Sequence, residues 1–400
     1  MNRFGLVIAG GGLAAARAIG SYREAGGARK IALLAGENVL PYHRPALSKR
    51  YLRGEVGPPF VEDESFYPAH DVEVLLATPA TGVNVRDRLV STARGDFAYE
   101  QLLLATGATP RRLHVPGADL EGVHALRTLE HSDAIRAAAS SAERAVVVGG
   151  GFIGMEVAAS LRQLGLSVTI VHLGRGLFDQ FGSRELSDDL LGLYREQGVD
   201  VLLEHEVARF GGDGRLTYAE TTNGRRIEAD LAVVGVGVVP NVGFLDGSGL
   251  SLGDGVVVDE RFATSAPGVY AVGDVASFFD PLYLRRRRIE HWSNANYQGR
   301  EVGRILAGAA GGYESVSSFF SEVFGATIKV LGDTSQGSQV AVDGSLESGA
   351  FLARFADRGR LVGTIAVNQP EELETLAKEL IGERAPVDAL ERELVGGGSR

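Results

Sequence analysis

The sequence predicts an α/β fold of two Rossmann-like dinucleotide-binding units followed by a smaller C-terminal α+β domain. Three observations predict it. An apolar strand near the start runs into Gly10-Gly11-Gly12, and a second runs into Gly149-Gly150-Gly151 about 140 residues later. From about Tyr313 the pattern changes to short strands separated by turns.

In the first unit Phe4, Leu6, Val7 and Ile8 form the strand, and Gly10 permits the tight turn. Gly12 lets backbone N–H groups approach a pyrophosphate, and Ala15 keeps the following helix close to the sheet. That helix opens at Leu13 and Ala14 and directs its positive end at the phosphates, so an anion there needs no charged side chain. Glu37 stands about 25 residues after Gly12, just beyond the apolar run 31–34, where an acid would take ribose hydroxyls. Pro41 and Pro45 stiffen the next loop, which turns into a short helix carrying Lys49. Strand-like stretches at 72–77, 89–91 and 99–104 lead to Ala105-Thr106-Gly107, a small-residue turn that lets the backbone pass close to a bound nucleotide. Pro110 marks a crossing out of the unit.

The second unit has the full Gly-x-Gly-x-x-Gly turn, Gly149 to Gly154, with Phe152 and Ile153 inside it and Glu156 on the helix beyond. The next strand, 168–171, ends in His172 rather than an acid, with Arg175 three residues on. Two readings stay open. Arg175 binds a 2′-phosphate, or His172 and Arg175 face solvent and another residue sets coenzyme preference. Gly235 to Pro240, with Gly237, reads as the return crossing, and 256–259 and 268–273 as strands of the first unit. Asp274 after Gly273 is either an acid held at the sheet end or a helix N-cap. Arg285 to Arg288 reads as a solvated loop or as a docking patch for an acidic partner. C-terminal strands are expected at 327–331, 339–342, 351–356 and 361–367, with a helix over 371–381 and a frayed tail at Gly396-Gly397-Gly398.

Composition narrows the chemistry. Four hundred residues, 44% of them apolar, suffice for several cores, and the 54 glycines sit in short turns rather than tracts. A formal charge of −11 disfavours nucleic-acid binding. With no cysteine there is no disulfide, thiolate metal site or thiol catalysis, and no metal centre is expected. No uncharged apolar run is long enough to span a membrane and the first strand starts by residue 4, so a cytoplasmic protein is expected.

The order of motifs resembles the FAD-dependent pyridine-nucleotide reductases that feed electrons to ferredoxins, within the two-dinucleotide, glutathione-reductase-like flavoprotein superfamily. The residues that carry it are Gly10-x-Gly12-x-x-Ala15, the run Arg44-Pro45-Ala46-Leu47-Ser48-Lys49, Ala105-Thr106-Gly107, the second glycine turn with Glu156, Gly273-Asp274, and Glu290-His291-Trp292. The resemblance implies an FAD-binding domain over 1–109 and 241–313, an NAD(P)H-binding domain over 110–240 and a C-terminal domain over 314–400. It implies that Glu37 holds the adenosine ribose, Asp274 the ribityl chain and Arg127 the phosphates of FAD, with Arg44, His291 and Trp292 also at that site. Lys49 and Glu156 are the implied catalytic pair beside the flavin, and Gly149, Gly151, Phe152, Ile153, Gly154, Glu156, His172, Arg175 and Gly237 the implied NAD(P)H contacts. Departures are Ala46 for a second proline, Ser318-Phe319-Phe320-Ser321-Glu322 where an aromatic motif usually holds tryptophan, and His172 for the acid of an NADH site. The implied reaction is hydride transfer from NAD(P)H to FAD and one-electron delivery to a ferredoxin, by a monomer or homodimer. Alternatives on the same scaffold are a reductase of a small acceptor, a quinone or monodehydroascorbate, and a redox sensor like apoptosis-inducing factor.

Overall fold

A computed structural model describes residues 2–396, with side chains to 393. The chain divides into two compact units. The first comprises 1–43, 59–109 and 238–315, and the second 44–58, 110–237 and 316–400.

The first unit is organised by a seven-stranded sheet. Its parallel part orders Val72–Leu75, Ile31–Leu34, Asn2–Ala9 and Gly95–Leu104, with Ile8 level with Leu33 on one side and Leu103 on the other. Ile31–Leu34 is buried along its whole length, which its unbroken apolar run requires of a parallel strand covered on both faces. Gly95–Leu104 serves two partners in turn. Its first half pairs antiparallel with Leu89–Thr92, and its second half pairs parallel with Val269–Ala271, so the late strand returns to the first sheet. Helices Leu13–Glu24 and Trp292–Leu306 pack together, and glycine is what allows their contact. A Cβ at Gly299 would lie 2.5 Å from the Ala14 carbonyl oxygen, and one at Gly303 2.5 Å from that of Ala18. A smaller sheet holds Gly255–Val257, Ala276–Asp280 and Arg285–Arg287.

In the second unit a five-stranded parallel sheet runs Val199–Leu203, Ser167–His172, Arg144–Val148, Leu231–Val234, Val123–Ala125. The helix Phe152–Gln163 follows the glycine turn. The C-terminal strands Ser318–Val323, Ala326–Gly332, Arg360–Val367, Ala350–Asp357 and Gln339–Ser345 form one antiparallel sheet. The helix Glu371–Gly382 starts directly after Pro370, and a last helix, Ala389–Gly396, is tied to the sheet by buried Arg354, which pairs with Asp343 and Glu391. Gly396 thus closes a helix where a frayed tail was expected, and Gly397 and Gly398 lie outside the described residues.

The segment 44–58 clusters with the second unit, where Ser132 Oγ donates to the Leu47 carbonyl and Ser160 Oγ to the Ser48 carbonyl. Two expectations are corrected. Lys49 follows a 3₁₀ turn, Arg44–Ala46, and a series of tight turns rather than riding on a helix. Arg285–Arg287 is a strand rather than a loop, and several of its side chains have fixed partners. Arg286 Nη1 donates to the carbonyls of Val258 and Ser277, Arg287 pairs with fully buried Asp280 at 2.8 Å, and Arg288 pairs with Asp254 and Glu290. Among the described residues no helix is long and apolar enough to cross a membrane, and no cluster of His, Asp and Glu could hold a metal ion.

Candidate functional site

The first glycine turn is built on close backbone contact. Gly10 has φ 121°, and a Cβ there would lie 2.1 Å from the Ala105 carbonyl oxygen, so only glycine lets the strand end meet Ala105-Thr106. Gly12 caps Leu13–Glu24 in extended conformation, with no side chain bonded to the helix's first N–H groups and nothing within 4 Å of where its Cβ would be. The result is an open cradle of donors at a positive helix end. Leu13, Ala14 and Ala15 are buried beneath it.

Around this turn stand the other predicted residues. Glu37, three residues past its strand, accepts from Tyr42 Oη at 2.6 Å. Gly107 has φ 67°, and Thr106 and Asn241 exchange hydrogen bonds, Thr106 Oγ1 to the Asn241 carbonyl and Asn241 Nδ2 to the Thr106 carbonyl. Gly273 N donates to Gln298 Oε1 at 2.7 Å, which fixes the 3₁₀ turn that carries Asp274. Asp274 is not the N-cap of the following helix; His291 is. Burial pushes His291 down to about 4, with Asp274 opposing the effect and Arg287 adding to it, although the residue as a whole is only partly buried. Trp292 Nε1 donates to His43 Nδ1 at 2.8 Å, and burial followed by the Arg17 charge lowers His43.

The second turn repeats the first. Gly149 has φ 114°, and its Cβ would lie 2.3 Å from the Gly235 carbonyl oxygen. Gly151 is an extended N-cap without a side-chain partner for the helix, and a Cβ at Gly154 would lie 2.0 Å from the Gly149 carbonyl oxygen. Phe152 packs edge-on against Phe178 and Phe319, while Ile153 is exposed at the turn. Gly237, φ 94°, accepts from Arg111 N. His172 faces the turn, its Nδ1 accepting from Gly150 N at 3.1 Å, and Arg175 is exposed beside Glu204 at 3.5 Å.

The same unit buries an ion pair. Lys49 Nζ lies 2.7 Å from Glu156 Oε2, to which Ser48 Oγ also donates, and Ser321 Oγ donates to Oε1 at 2.7 Å. All four residues are buried. Both carboxylate oxygens act as acceptors from fixed donors, which holds the lysine charge in one place at the edge of a cavity lined also by Arg53, Ser160, Glu322 and Phe324. Arg44 Nη1 donates to the Arg127 carbonyl, so these two predicted residues also meet. Sequence reasoning missed Ser48, Ser321 and Asn241. Ser48 and Ser321 lay inside motifs singled out for other residues, and serine carries no periodic signal that marks a buried donor.

Family models match twice: pyridine nucleotide-disulphide oxidoreductase over residues 4–299 and reductase C-terminal over 318–392. The chain is 35% identical over 386 residues to the ferredoxin reductase component of chlorobenzene dioxygenase from Cupriavidus sp. strain PS12, covering 96% of this chain and 93% of that one. It is 32% identical to putidaredoxin reductase of Pseudomonas putida, covering 96% and 93%. The covalent putidaredoxin reductase–putidaredoxin complex superimposes with a TM-score of 0.94 at 30% identity, over the whole of both chains. The family implies FAD and NAD(P)H, and the residues present fit them. Each glycine turn leads into a helix N-terminus with no side-chain cap, of the kind a dinucleotide pyrophosphate occupies, and Glu37 stands where a ribose acid belongs. The first model spans well over half of the chain and the full-length relatives agree with it, so the chain belongs to the pyridine nucleotide-disulphide oxidoreductase family, as a member with a reductase C-terminal domain and no cysteine for a disulphide.

Proposed function

We propose that this protein is an FAD-dependent NAD(P)H oxidoreductase that passes electrons to a ferredoxin. The observation that carries the reading is the pair of glycine turns, each leading into a helix N-terminus without a side-chain cap, in a chain without cysteine. Bound FAD would supply the chemistry, accepting two electrons as hydride and releasing them singly.

The chain's own residues bind and orient. Gly10, Gly12 and the helix from Leu13 would hold the FAD pyrophosphate, Glu37 the adenosine ribose, and Asp274 the ribityl chain, with Ala105, Thr106, Gly107, His291 and Trp292 completing that unit's contribution. Arg44 and Arg127 are further candidates for phosphate contact. Gly149, Gly151 and Gly154 would take the pyrophosphate of NAD(P)H. Lys49 is the candidate that sets charge beside the reacting ring, and Glu156 with its two serines positions it. The absence of thiols leaves no route through a redox disulfide of this chain. The setting we infer is the cytoplasm, where the reduced coenzyme is available.

Anaerobic stopped-flow reduction of the yellow holoenzyme, then mixing with an oxidised ferredoxin, tests the reading. Fast bleaching followed by fast ferredoxin reduction is expected. A long-lived charge-transfer band with no transfer to ferredoxin would instead indicate a small-acceptor reductase or a redox sensor.

A further inference from the structure

The second turn lacks the acid that a Rossmann unit carries at the end of its second strand, and the structure shows what stands there instead. His172, the last residue of Ser167–His172, is committed to the glycine turn. Its Nδ1 accepts from Gly150 N, and a Cβ on Gly150 would lie 2.7 Å from its Cδ2. The ring therefore covers the turn and does not reach out to a ribose. Its Nε2 points at Asp179 Oδ1, 3.6 Å away. Asp179 comes from the 3₁₀ turn Asp179–Phe181, and glycine at 174 makes room for its carboxylate, since a Cβ there would lie 2.1 Å from Asp179 Oδ2 and 2.5 Å from His172 Nε2.

The strap that delivers Asp179 is fixed to the turn itself. Phe178 N donates to the Gly150 carbonyl at 3.1 Å, the fully buried Phe178 ring packs 4.5 Å from that of Phe152, and Gln180 Nε2 lies 3.8 Å from where a Gly151 Cβ would be. Phe178 holds φ 58°, an unfavourable conformation for a bulky residue that the surrounding packing maintains. Arg175, the cation a 2′-phosphate would need, is 90% exposed and already faces Glu204.

We infer that Asp179 replaces the missing strand-end acid, accepts the ribose hydroxyls of the coenzyme and repels a 2′-phosphate, so that NADH is the preferred substrate. This rests on the NAD(P)H site proposed above. Selection by repulsion needs one fixed anion near the 2′ position, and the strap fixes one beside the last residue of the second strand.

Binding of NAD⁺ and of NADP⁺ to the oxidised FAD-loaded enzyme, measured by calorimetry, tests it. The wild type is expected to bind NAD⁺ tighter by roughly tenfold or more. Asp179→Asn should cut that ratio by roughly tenfold, chiefly by tightening NADP⁺. Asp179→Ser should shift it in the same direction, and Arg175→Ala should leave it within about twofold. A wild type that favours NADP⁺, or a ratio unmoved in both Asp179 variants, would overturn the role of Asp179 while leaving the site standing. Binding of neither nucleotide to the wild type would overturn the site and this assignment together.

Discussion

The two glycine turns solve one backbone problem in the same way and then diverge in side chains. At Gly10 and Gly149 the φ values are 121° and 114°, and a Cβ at either would collide with a carbonyl oxygen, that of Ala105 or of Gly235. Seven residues after each, the resemblance ends. Arg17 in the first unit is a half-buried cation paired with Glu62 and bonded to Asn296, whereas Glu156 in the second is a buried anion holding Lys49. At the end of the second strand the first unit leads to Glu37, held by Tyr42, and the second to His172 with Asp179 behind it. Backbone geometry is thus common to any dinucleotide site, while the residues that face the reaction and the ribose are particular to each.

That contrast can be broken by substitution. Glu156→Ala leaves Lys49 buried without its partner and should cost about 3–5 kcal/mol in urea unfolding. Arg17→Ala, in a pair with about a quarter of each side chain exposed, should cost about 1 kcal/mol or less. Equal losses would show that the two positions are energetically alike. Ser321→Ala removes one donor to the carboxylate and should lose about 1.5–3 kcal/mol, with a changed flavin potential as the sign that Lys49 has moved. A third test compares the last position of each turn. Gly154→Ala drives a methyl to 2.0 Å from the Gly149 carbonyl oxygen and should cost about 1–3 kcal/mol and weaken NAD⁺ binding while FAD stays bound. The reverse change in the first unit, Ala15→Gly, should cost only about 1 kcal/mol.

The fold was legible because glycine turns and apolar runs are local signals, and both are dense here. Ile31–Leu34 and Leu231–Val234 announce buried parallel strands by composition alone, and Pro370 marks the start of its helix. The site was legible where a backbone demand dictates the residue, at Gly10, Gly149 and Gly154. It was not legible where the partner comes from far along the chain. Glu156 accepts from Ser321, 165 residues away, and nothing in either neighbourhood announces that bond. Arg285–Arg288 misled for the same reason. A charge run in a loop is solvated, but here strand pairing with Ala276–Asp280 sets Arg287 against Asp280 and Arg286 against two carbonyls.

Histidine gives the comparison its finest test. In the second unit His172 is fixed by a hydrogen bond from Gly150 N, whereas in the first His291 is held neutral chiefly by burial, near 4 instead of its ordinary 6.5. The unfolded chain then binds a proton that the folded chain refuses between those values, so stability rises with pH across the interval. The contribution is complete above about 6.5 and is lost as pH falls towards about 4. Because the residue is only partly buried, about 1–2 kcal/mol is expected rather than the full linkage value. Urea unfolding of wild type and His291→Asn at several pH values over this interval measures it. The variant should show a shallower rise by that amount, and parallel curves would mean that other groups, not the histidine at the entrance of Trp292–Leu306, set the acid limb of the first unit.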